Sequence, residues 1–349
     1  MNYQKNYCDD IDRVIEIQKK VAPEMMETLI RRYHILSLVY YNQPIGRRNL
    51  ANLMGIGERI IRGETNILRE QGMIFVRAEG MNTTEVGENT LDVLKEFIHR
   101  LMGLRKIEDQ VAQKLKIKKV FVIPSIVHEE GVILREIGKS ASQYVKSLLK
   151  DNTVIGITGG ETMRMVAEEM PDESGKNHNI TVIPARGGFG REVEKQANTI
   201  AATLANKLGG TYKLLHMPDN ISKEILMSLT QEPSIKDVIE HINEIEIFIF
   251  GIGRADMMTK RRELSKEKTD YLLQQGAVAE AFGYYFNKSG NVIEEVNSVG
   301  VSLEKYKKLK HIIAAAAGAD KAEALMAVSR LNSDLVAVID EELAKEILK

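Results

Sequence analysis

The sequence predicts two folds in one chain, a small winged helix-turn-helix domain followed by an α/β domain with an open, mainly parallel sheet. Between residues 45 and 86, a helix, a glycine-bearing turn, a second helix and short strands follow one another; from Lys118 onward, strands alternate with helices. The 349 residues suffice for two domains. We predict the winged helix-turn-helix domain at 1–87, a linker helix at 88–117 and the α/β domain at 118–349.

Composition excludes several classes of protein. The chain is 44% apolar and 28% charged, and its net charge of −1 excludes a uniformly basic nucleic-acid coat. The single cysteine, Cys8, excludes an internal disulfide and a cysteine-rich zinc site. No apolar stretch follows the amino terminus as in a secretory signal, and runs such as 245–252 are far shorter than the ~20 residues that span a bilayer. We therefore expect a cytoplasmic protein with no membrane partner.

Two helices are predicted before residue 43. Apolar residues recur at near-helical spacing from Ile11 to Val21, ahead of Pro23, and again from Glu24 to Tyr41. Asn42-Gln43-Pro44 ends the second helix, because proline has no amide hydrogen for an intrahelical bond. The role of residues 1–22 is left open, as a core helix or a face for a partner.

A helix-turn-helix is predicted between Ile45 and Gln71. Ala51 is small where two helices cross closely, and Gly55 and Gly57 fit the turn between them. The buried side of the second helix is predicted to consist of Ile60, Ile61, Ile67 and Leu68. A hairpin wing follows, with strands at 75–77 and 83–86 and a turn around 80–82.

Arginines dominate the charge of this domain. Between Glu24 and Arg77 the chain has eight arginines, five glutamates and no lysine. Arginine binds phosphate bidentately and reads guanine in the major groove, so this excess favours binding to operator DNA. The alternative is a solvated arginine face used for protein contact. The excess lies at Arg47, Arg48, Arg59 and Arg62.

A long helix is predicted over 87–116, with an apolar stripe that shifts phase near Arg105. It either pairs with another subunit or packs on its own domain. Beyond it the strands are predicted at 119–124, 154–157, 180–184, 212–217, 245–250, 312–316 and 335–339. Helices are predicted at 132–149, 193–208, 222–230, 235–243, 266–275 and 320–330. Residues 281–286 and 292–299 read as an antiparallel excursion from the parallel sheet.

An anion site is predicted where the strands end. Val154–Ile157 is a buried strand, and Gly159 and Gly160 let backbone N–H groups approach a ligand at the start of the next helix. Other strands end in Arg186-Gly187-Gly188, in Gly251–Arg254, and in Gly318 ahead of Lys321. Ligands bind beyond the carboxyl ends of such strands, so these residues suit a polyanion. The alternative is that the glycines only permit tight turns and the cations are solvated.

Several motifs resemble the SorC family of sugar-responsive transcription factors over nearly the whole chain. Among them are Ile45–Arg48, Arg69–Gly72, Pro184–Gly188, Gln196–Thr199, Glu280–Phe286 and Lys321–Ala324. The resemblance implies an effector domain similar to the phosphosugar isomerases and deaminases. It also implies that this domain forms a dimer or tetramer. It implies a phosphorylated sugar as effector, fructose 1,6-bisphosphate in the glycolytic branch, and no resident cofactor.

The resemblance also assigns site residues. It implies phosphate binding by Gly159, Gly160, Thr162, Arg261 and Lys321. It implies contacts to the sugar or a second phosphate by Arg186, Gln196 and Glu280. Arg254, at a strand end, competes with Arg261 for the same role. The glycolytic members have a small hydroxyl residue where this chain has Glu161, so the class of effector is better determined than its identity.

Three functions follow from these residues. The first is a repressor of glycolytic genes whose operator binding is weakened by a phosphosugar. The second is a regulator of another sugar operon with a different phosphosugar. The third is a phosphosugar isomerase or deaminase, for which Glu161 or Glu280 would be the base; the seven histidines are scattered, and no paired constellation is visible. We predict no catalytic residue and no metal ligand.

Overall fold

The computed structural model describes residues 13–125, 130–175, 179–188, 190–219 and 221–349. Cys8, Ile11, His128 and His178, which entered the sequence analysis, lie outside these ranges. The described chain divides into two compact units. The first holds the described residues up to Lys106 with the described part of 124–132, and the second holds 107–123 with 133–349.

The first unit is a helix-turn-helix with a hairpin wing, as predicted. Its helices are α1 over residues 13–21, α2 Pro23–Asn42, α3 Arg47–Met54, α4 Glu58–Glu70 and α5 Glu85–Leu101. Its strands, β1 Ile74–Arg77 and β2 Gly80–Thr83, pair antiparallel. Gly55 adopts φ of +65° at the end of α3, a conformation glycine takes without strain, and so permits the turn into α4.

The apolar faces of these helices meet in one core. α2 contributes Ile35, Leu36 and Val39, and α4 contributes Ile61 and Leu68. α5 adds Leu91, Ile98 and Leu101 to the same core. The predicted linker segment therefore begins inside the first unit, because the first helical turns after residue 87 are needed to cover α2. The three domain limits drawn from the sequence stay a prediction.

Three boundaries predicted in this region were wrong. Residues 80–82, predicted as the turn of the wing, belong to β2, and the turn lies at residues 78–79. The Thr84 side chain accepts a hydrogen bond from the N–H of Gly87, so residues 84–86 begin α5 instead of ending the wing strand. The single helix predicted over 87–116 is two, α5 and α6 Leu104–Leu115. The break falls at Gly103, whose φ of +71° ends a helix, and this explains the phase shift of the apolar stripe.

The second unit alternates strands and helices. Its strands are β3 Lys119–Ile123, β4 Val154–Ile157, β5 Thr181–Pro184, β6 Thr211–Tyr212, β7 Ile247–Gly251, β8 Gly253–Arg254, β9 Ala277–Ala281, β10 Tyr284–Asn287, β11 Val292–Glu295, β12 His311–Ala316 and β13 Leu335–Asp340. Its helices after α6 are α7 Glu130–Leu148, α8 Glu161–Glu168, α9 Ala197–Lys207, α10 Lys223–Leu229, α11 Pro233–Glu244, α12 Ala255–Arg261, α13 Lys266–Gln274, α14 Leu303–Lys308, α15 Ala322–Ser329 and α16 Glu341–Leu348. Short 3₁₀ turns lie at Val193–Lys195 and Ala319–Lys321.

Seven strands form one parallel sheet in the order β3-β13-β12-β7-β4-β5-β6. The chain runs outward through β4, β5 and β6, and then returns to place β7 on the other side of β4. The strand order therefore reverses between β4 and β7, which is where such sheets bind ligands. Buried aliphatic residues of β4, β5 and β7 pack against α8 and α9, and hold the strand ends in register.

A second sheet is antiparallel, in the order β11-β10-β9-β8. It confirms the predicted antiparallel excursion, although Phe282 and Gly283 turn the chain between β9 and β10 within the stretch predicted as one strand. Two other predictions were too long. The strand predicted at 212–217 is only Thr211–Tyr212, and the helix predicted at 193–208 is a 3₁₀ turn followed by α9, since Gln196 is extended and caps α9.

Candidate functional site

The glycine turn after β4 lies at the switch point of the sheet. The N–H of Thr158 donates to the carbonyl of Ile249 in β7 over 3.1 Å, so the turn follows the two central strands directly. Gly160 has φ of +113° and caps α8. A Cβ at Gly159 would lie 2.8 Å from the carbonyl oxygen of Lys195, so only glycine fits there. The predicted strand, glycine turn and helix are all present.

The donors at this turn differ from the prediction. The N–H of Gly160 donates to the carbonyl of Lys195 over 2.9 Å and is thus already used within the protein. The N–H groups of Glu161, Thr162 and Met163 belong to the first turn of α8 and have no acceptor within the helix. An anion at this turn would therefore be bound by the start of α8, not by the N–H of Gly160.

Glu161 is paired at this position. Its carboxylate receives a hydrogen bond from Arg164, and its other oxygen lies 3.4 Å from the ammonium of Lys195. The hydrogen bond from Arg164, with a further contribution from Lys195, lowers the pKa of Glu161 despite partial burial. The carboxylate is therefore ionised at neutral pH, and two cations lie beside the predicted phosphate turn.

Gln196 is brought next to this turn. It lies at the cap of α9, directly after the Lys195 carbonyl that packs on Gly159. Its side-chain amide donates to the carbonyl of Gly190 over 2.7 Å. The structure thus places Gln196 beside Gly159 and Gly160, and their assignment to a ligand stays a prediction.

A buried ring of alternating charges lies beyond β5. Arg186 donates from Nε and Nη2 to Asp219 over 3.1 and 3.0 Å, and from Nη1 to Glu280 over 2.7 Å. Arg262 closes the ring with hydrogen bonds to Asp219 and, over 3.1 Å, to Glu280. The four side chains are between 2% and 8% exposed. Each guanidinium thus binds both carboxylates, and we call these four residues the ion ring.

Glu280 and Tyr285 carry polar atoms, at and beside the ion ring, whose hydrogen-bonding state differs. Three donors converge on Oε1 of Glu280, namely Arg186, Arg262 and the N–H of Gly283 at 3.0 Å. The Tyr285 hydroxyl is buried and has no hydrogen-bond partner among the described residues. Burial, with the nearby Glu280 and Asp219 carboxylates, raises the pKa of Tyr285 to about 12 even though Arg262 opposes the shift. Tyr285 is therefore a neutral hydroxyl beside the ring.

The competing arginines after β7 have different surroundings. Arg254 pairs with Asp256 at 2.7 Å and with Asp320 at 2.8 Å, and its pKa is raised by Asp320 and then Asp256. Arg261 is exposed at the last residue of α12. The next residue, Arg262, is the one that enters the ion ring. Sequence reasoning missed both Arg262 and Asp219; the adjacent Arg261-Arg262 pair was the only local signal for the first.

Lys321 lies beyond the carboxyl end of β12, the strand that pairs with β7 in the parallel sheet. Gly318, which follows β12, has φ of +99° and donates its N–H to the buried Asp340 over 2.9 Å. Lys321 ends the short 3₁₀ turn that follows and precedes α15. Burial raises the pKa of Asp340. The carboxyl ends of β4, β5 and β12 thus place Thr162, Arg186 and Lys321 beyond one edge of the parallel sheet, whereas Arg261 ends α12 and Glu280 lies in β9 of the antiparallel sheet.

The predicted DNA-contacting arginines lie on α3 and α4. Arg47 and Arg48 begin α3, Arg47 being partly buried and Arg48 exposed. Arg59 and Arg62 are exposed on the first two turns of α4, and Arg62 lies 3.6 Å from Glu58. Residues near the amino terminus of the second helix are those that contact bases in helix-turn-helix proteins. The structure therefore presents Arg59 and Arg62 as a recognition helix requires.

Two other arginines of this unit are structural. Arg31 and Arg32, on α2, both bind the buried carboxylate of Glu64 on α4, with distances of 2.7 Å. Burial opposes ionisation of Glu64, but hydrogen bonds from Arg32 and Arg31 hold its pKa below the ordinary value. Two of the eight arginines between Glu24 and Arg77 thus join α2 to α4 through a buried carboxylate.

One core assignment in this unit was wrong. Ile60, predicted on the buried side of α4, is 50% exposed, whereas Ile61 is fully buried. Adjacent helical residues point about 100° apart, so the two cannot both face one core. Ile60 instead lies beside the exposed arginines.

Within the described ranges, no three histidine, cysteine, aspartate or glutamate side chains come together as metal ligands would. No helix of the described chain is long and apolar enough to cross a membrane.

A helix-turn-helix unit with exposed arginines, followed along the chain by an α/β unit whose strand ends are rich in glycine and cations, is typical of a ligand-responsive DNA-binding regulator. The family model of a sugar-binding domain matches residues 99–349, and that of the CggR N-terminal DNA binding domain matches residues 28–98. The central glycolytic genes regulator of Bacillus subtilis is 36% identical over 97% of this chain and 99% of its own length. The central glycolytic genes regulator of Priestia megaterium is 38% identical over 96% of this chain and 98% of its own length.

Solved structures agree. A SorC family transcriptional regulator from Enterococcus faecalis is 35% identical and superposes with a TM-score of 0.65 over 70% of this chain and 100% of that one. The full-length sorbitol operon regulator from Klebsiella pneumoniae shares the fold at 20% identity, with a TM-score of 0.67 over 92% of this chain and 99% of its own. The chain belongs to the SorC family of sugar-binding transcriptional regulators, in the branch of the central glycolytic genes regulators.

Proposed function

We propose that this protein represses glycolytic genes and that a phosphorylated sugar, fructose 1,6-bisphosphate or a close relative, weakens its binding to operator DNA. The observation that carries the proposal is that Thr162, Arg186 and Lys321 follow the carboxyl ends of β4, β5 and β12, on one edge of the parallel sheet, with Gln196 beside the turn after β4. Relatives named for central glycolytic genes support the choice of genes.

Each part of the edge has a proposed task. The first turn of α8 and the Thr162 hydroxyl bind one phosphate, with Lys321 supplying a positive charge. The ion ring holds Glu280 so that Oε1 is occupied, and Oε2 accepts a hydrogen bond from a sugar hydroxyl. Arg186 acts mainly by positioning Glu280, because three of its nitrogens already bind carboxylates.

The remaining parts of the proposal concern assembly and chemistry. The protein acts in the cytoplasm as a dimer or tetramer, so that paired recognition helices bind two half-sites. It binds its effector without converting it and needs no cofactor. The relatives being transcriptional regulators supports binding over catalysis.

Glu161 supports a second candidate, a regulator of another sugar operon with a different phosphosugar. A carboxylate at the phosphate turn disfavours a phosphate placed against it, although Arg164 and Lys195 offset its charge. An effector with a hydroxyl at that position would instead be favoured, since a carboxylate accepts hydrogen bonds.

A thermal-shift panel tests the proposal and separates the two candidates. A ligand that binds only the folded protein raises its melting temperature by mass action. We expect fructose 1,6-bisphosphate to raise it more than fructose 6-phosphate, glucose 6-phosphate, glucosamine 6-phosphate or inorganic phosphate. A larger shift with a monophosphate would favour the second candidate, and no shift with any phosphosugar would contradict both.

A further inference from the structure

Ile60 presents an aliphatic side chain to solvent on α4, the helix for which we propose contact with operator DNA. It is the third residue of α4, follows Arg59 directly, and is 50% exposed. The buried stripe of the same helix consists of Ile61, Glu64, Thr65 and Leu68. At about 100° per residue, Arg59 points directly away from that stripe, with Ile60 on one side of it and Arg62 on the other.

The position of Ile60 distinguishes it from an ordinary exposed aliphatic residue. Single apolar side chains on protein surfaces are common and need no explanation by themselves. This one lies in the first turn of a recognition helix, whose amino-terminal residues contact base edges. Thymine is the base that displays a methyl group in the major groove, and apolar side chains read that methyl by contact.

Gly63, one turn further on, points to the same surface independently. It lies in the middle of α4, has an ordinary helical φ, and a Cβ there would meet no protein atom within 4 Å. Glycine in a helix interior lowers helix stability, and nothing in the described chain requires it here. An absent side chain beside Arg59 and Ile60 leaves room for a closely approaching groove wall.

We propose that Ile60 contacts a thymine 5-methyl group in the major groove of the operator, and that Gly63 permits the approach that this contact needs. Arg59 and Arg62 supply the charge, whereas Ile60 supplies discrimination among bases. The inference rests on the proposed binding of operator DNA through α4.

The test removes the methyl group from the DNA and the side chain from the protein. The probe is a short duplex that the full-length protein selects from random-sequence DNA, remade with deoxyuridine replacing one thymidine at a time. For the wild type we expect replacement at one or two positions to weaken binding about three- to five-fold, the size of one buried methyl group. Ile60→Ala should bind the unmodified duplex about as weakly as the wild type binds the substituted one. Deoxyuridine at those positions should not weaken its binding further.

Two further variants complete the design. Val93→Ala shortens an aliphatic residue that is 78% exposed on α5 and should leave binding and the thymidine pattern unchanged. Gly63→Ala should weaken binding while raising the melting temperature, because alanine favours the helix. A loss of affinity that accompanies higher stability is not a loss of folding.

The outcomes are distinguishable. The inference about Ile60 would be overturned if deoxyuridine weakened DNA binding equally in the wild type and in Ile60→Ala, or if it did not weaken wild-type binding at any position. Wild-type affinity in Gly63→Ala would overturn the role of Gly63. If Arg59→Ala also retained full affinity, the placement of α4 in the groove would itself be wrong.

Discussion

The arginines of α4 and those of the ion ring meet negative charge in opposite ways. Arg62 is 63% exposed and its side chain lies no closer than 3.6 Å to Glu58, whereas Arg262 is 4% exposed and binds two carboxylates. The first arrangement leaves a long side chain able to follow DNA phosphates and bases. The second fixes a guanidinium before any ligand arrives. In the proposed function, exposed arginines meet the DNA polyanion, and buried, preorganised arginines position Glu280 for a small ligand.

The difference has energetic consequences. Exposed arginines contribute little to folding, and their effect on DNA binding depends on salt because they displace counterions from the DNA. Buried arginines carry a large desolvation penalty that their partners must offset, so removing one partner is costly. Stability should therefore depend on the ion ring, and salt-sensitive affinity should depend on α4.

The largest effect is expected from breaking the ion ring. Arg262→Met leaves Asp219 and Glu280 with one buried cation between them. We expect the free energy of unfolding, measured by urea titration, to fall by roughly 3–5 kcal/mol. Arg191→Met is the matched control, because Arg191 is 91% exposed and lies 3.5 Å from Glu263. Equal losses in the two variants would show that the ring does not differ energetically from a surface pair.

Operator binding should be sensitive at α4. Arg59→Ala and Arg62→Ala should each weaken operator binding by about ten-fold or more, with the melting temperature unchanged. The slope of log affinity against log salt should fall by about one for an arginine that contacts phosphate. Arg69→Ala, an exposed arginine in the last turn of the same helix, should have a smaller effect. Unchanged affinity at matched salt in both amino-terminal variants would contradict our placement of the recognition helix.

A substitution at the glycine turn after β4 should strengthen ligand binding, whereas the substitutions on α4 should weaken operator binding. Glu161→Thr removes one of the two carboxylates that pair with each of Arg164 and Lys195, the others being Glu168 and Glu192, so both cations can interact more strongly with a phosphate. Affinity for fructose 1,6-bisphosphate, measured by calorimetry, should rise by about five-fold, since one close charge interaction in water-like surroundings is worth about 1 kcal/mol. Glu168→Thr is the control, because Glu168 also binds Arg164 but lies at the far end of α8. Weaker binding in Glu161→Thr would instead indicate that Glu161 accepts a hydrogen bond from the effector.

The smallest effect concerns the paired arginines of the first unit, and it depends on pH. Because Arg32 and Arg31 hold the pKa of Glu64 below 4.5, the pair stabilises the fold above that pH and less as the pH falls through the lowered value. Glu64→Gln should cost on the order of 1 kcal/mol at pH 7, because the two guanidiniums remain about a third exposed. The difference from wild type should shrink at pH 3. A difference that is the same at both pH values would exclude this ion pair as its cause.

Local patterns in the sequence predicted most of the architecture. The helix-turn-helix, the glycine turn and the alternating strands follow from turn residues and hydrophobic periods within short windows. The ion ring could not be found that way, because Arg186 and Glu280 are 94 residues apart and Asp219 and Arg262 are 43 apart. Charged residues give no periodic signal for such pairing. Ile60 was misassigned because both adjacent isoleucines were placed on the buried side of α4. Adjacent residues of a helix point about 100° apart, so one of the two faces away from the core.

In the proposed function, operator and phosphosugar bind preferentially to different states of one protein. The direct test is to measure operator affinity with and without fructose 1,6-bisphosphate, and bisphosphate affinity with and without operator. We predict that each ligand weakens the other by the same factor, as linkage requires, and that a higher bisphosphate concentration is needed in Lys321→Ala. Operator affinity that stays constant while bisphosphate saturates the protein would contradict the claim.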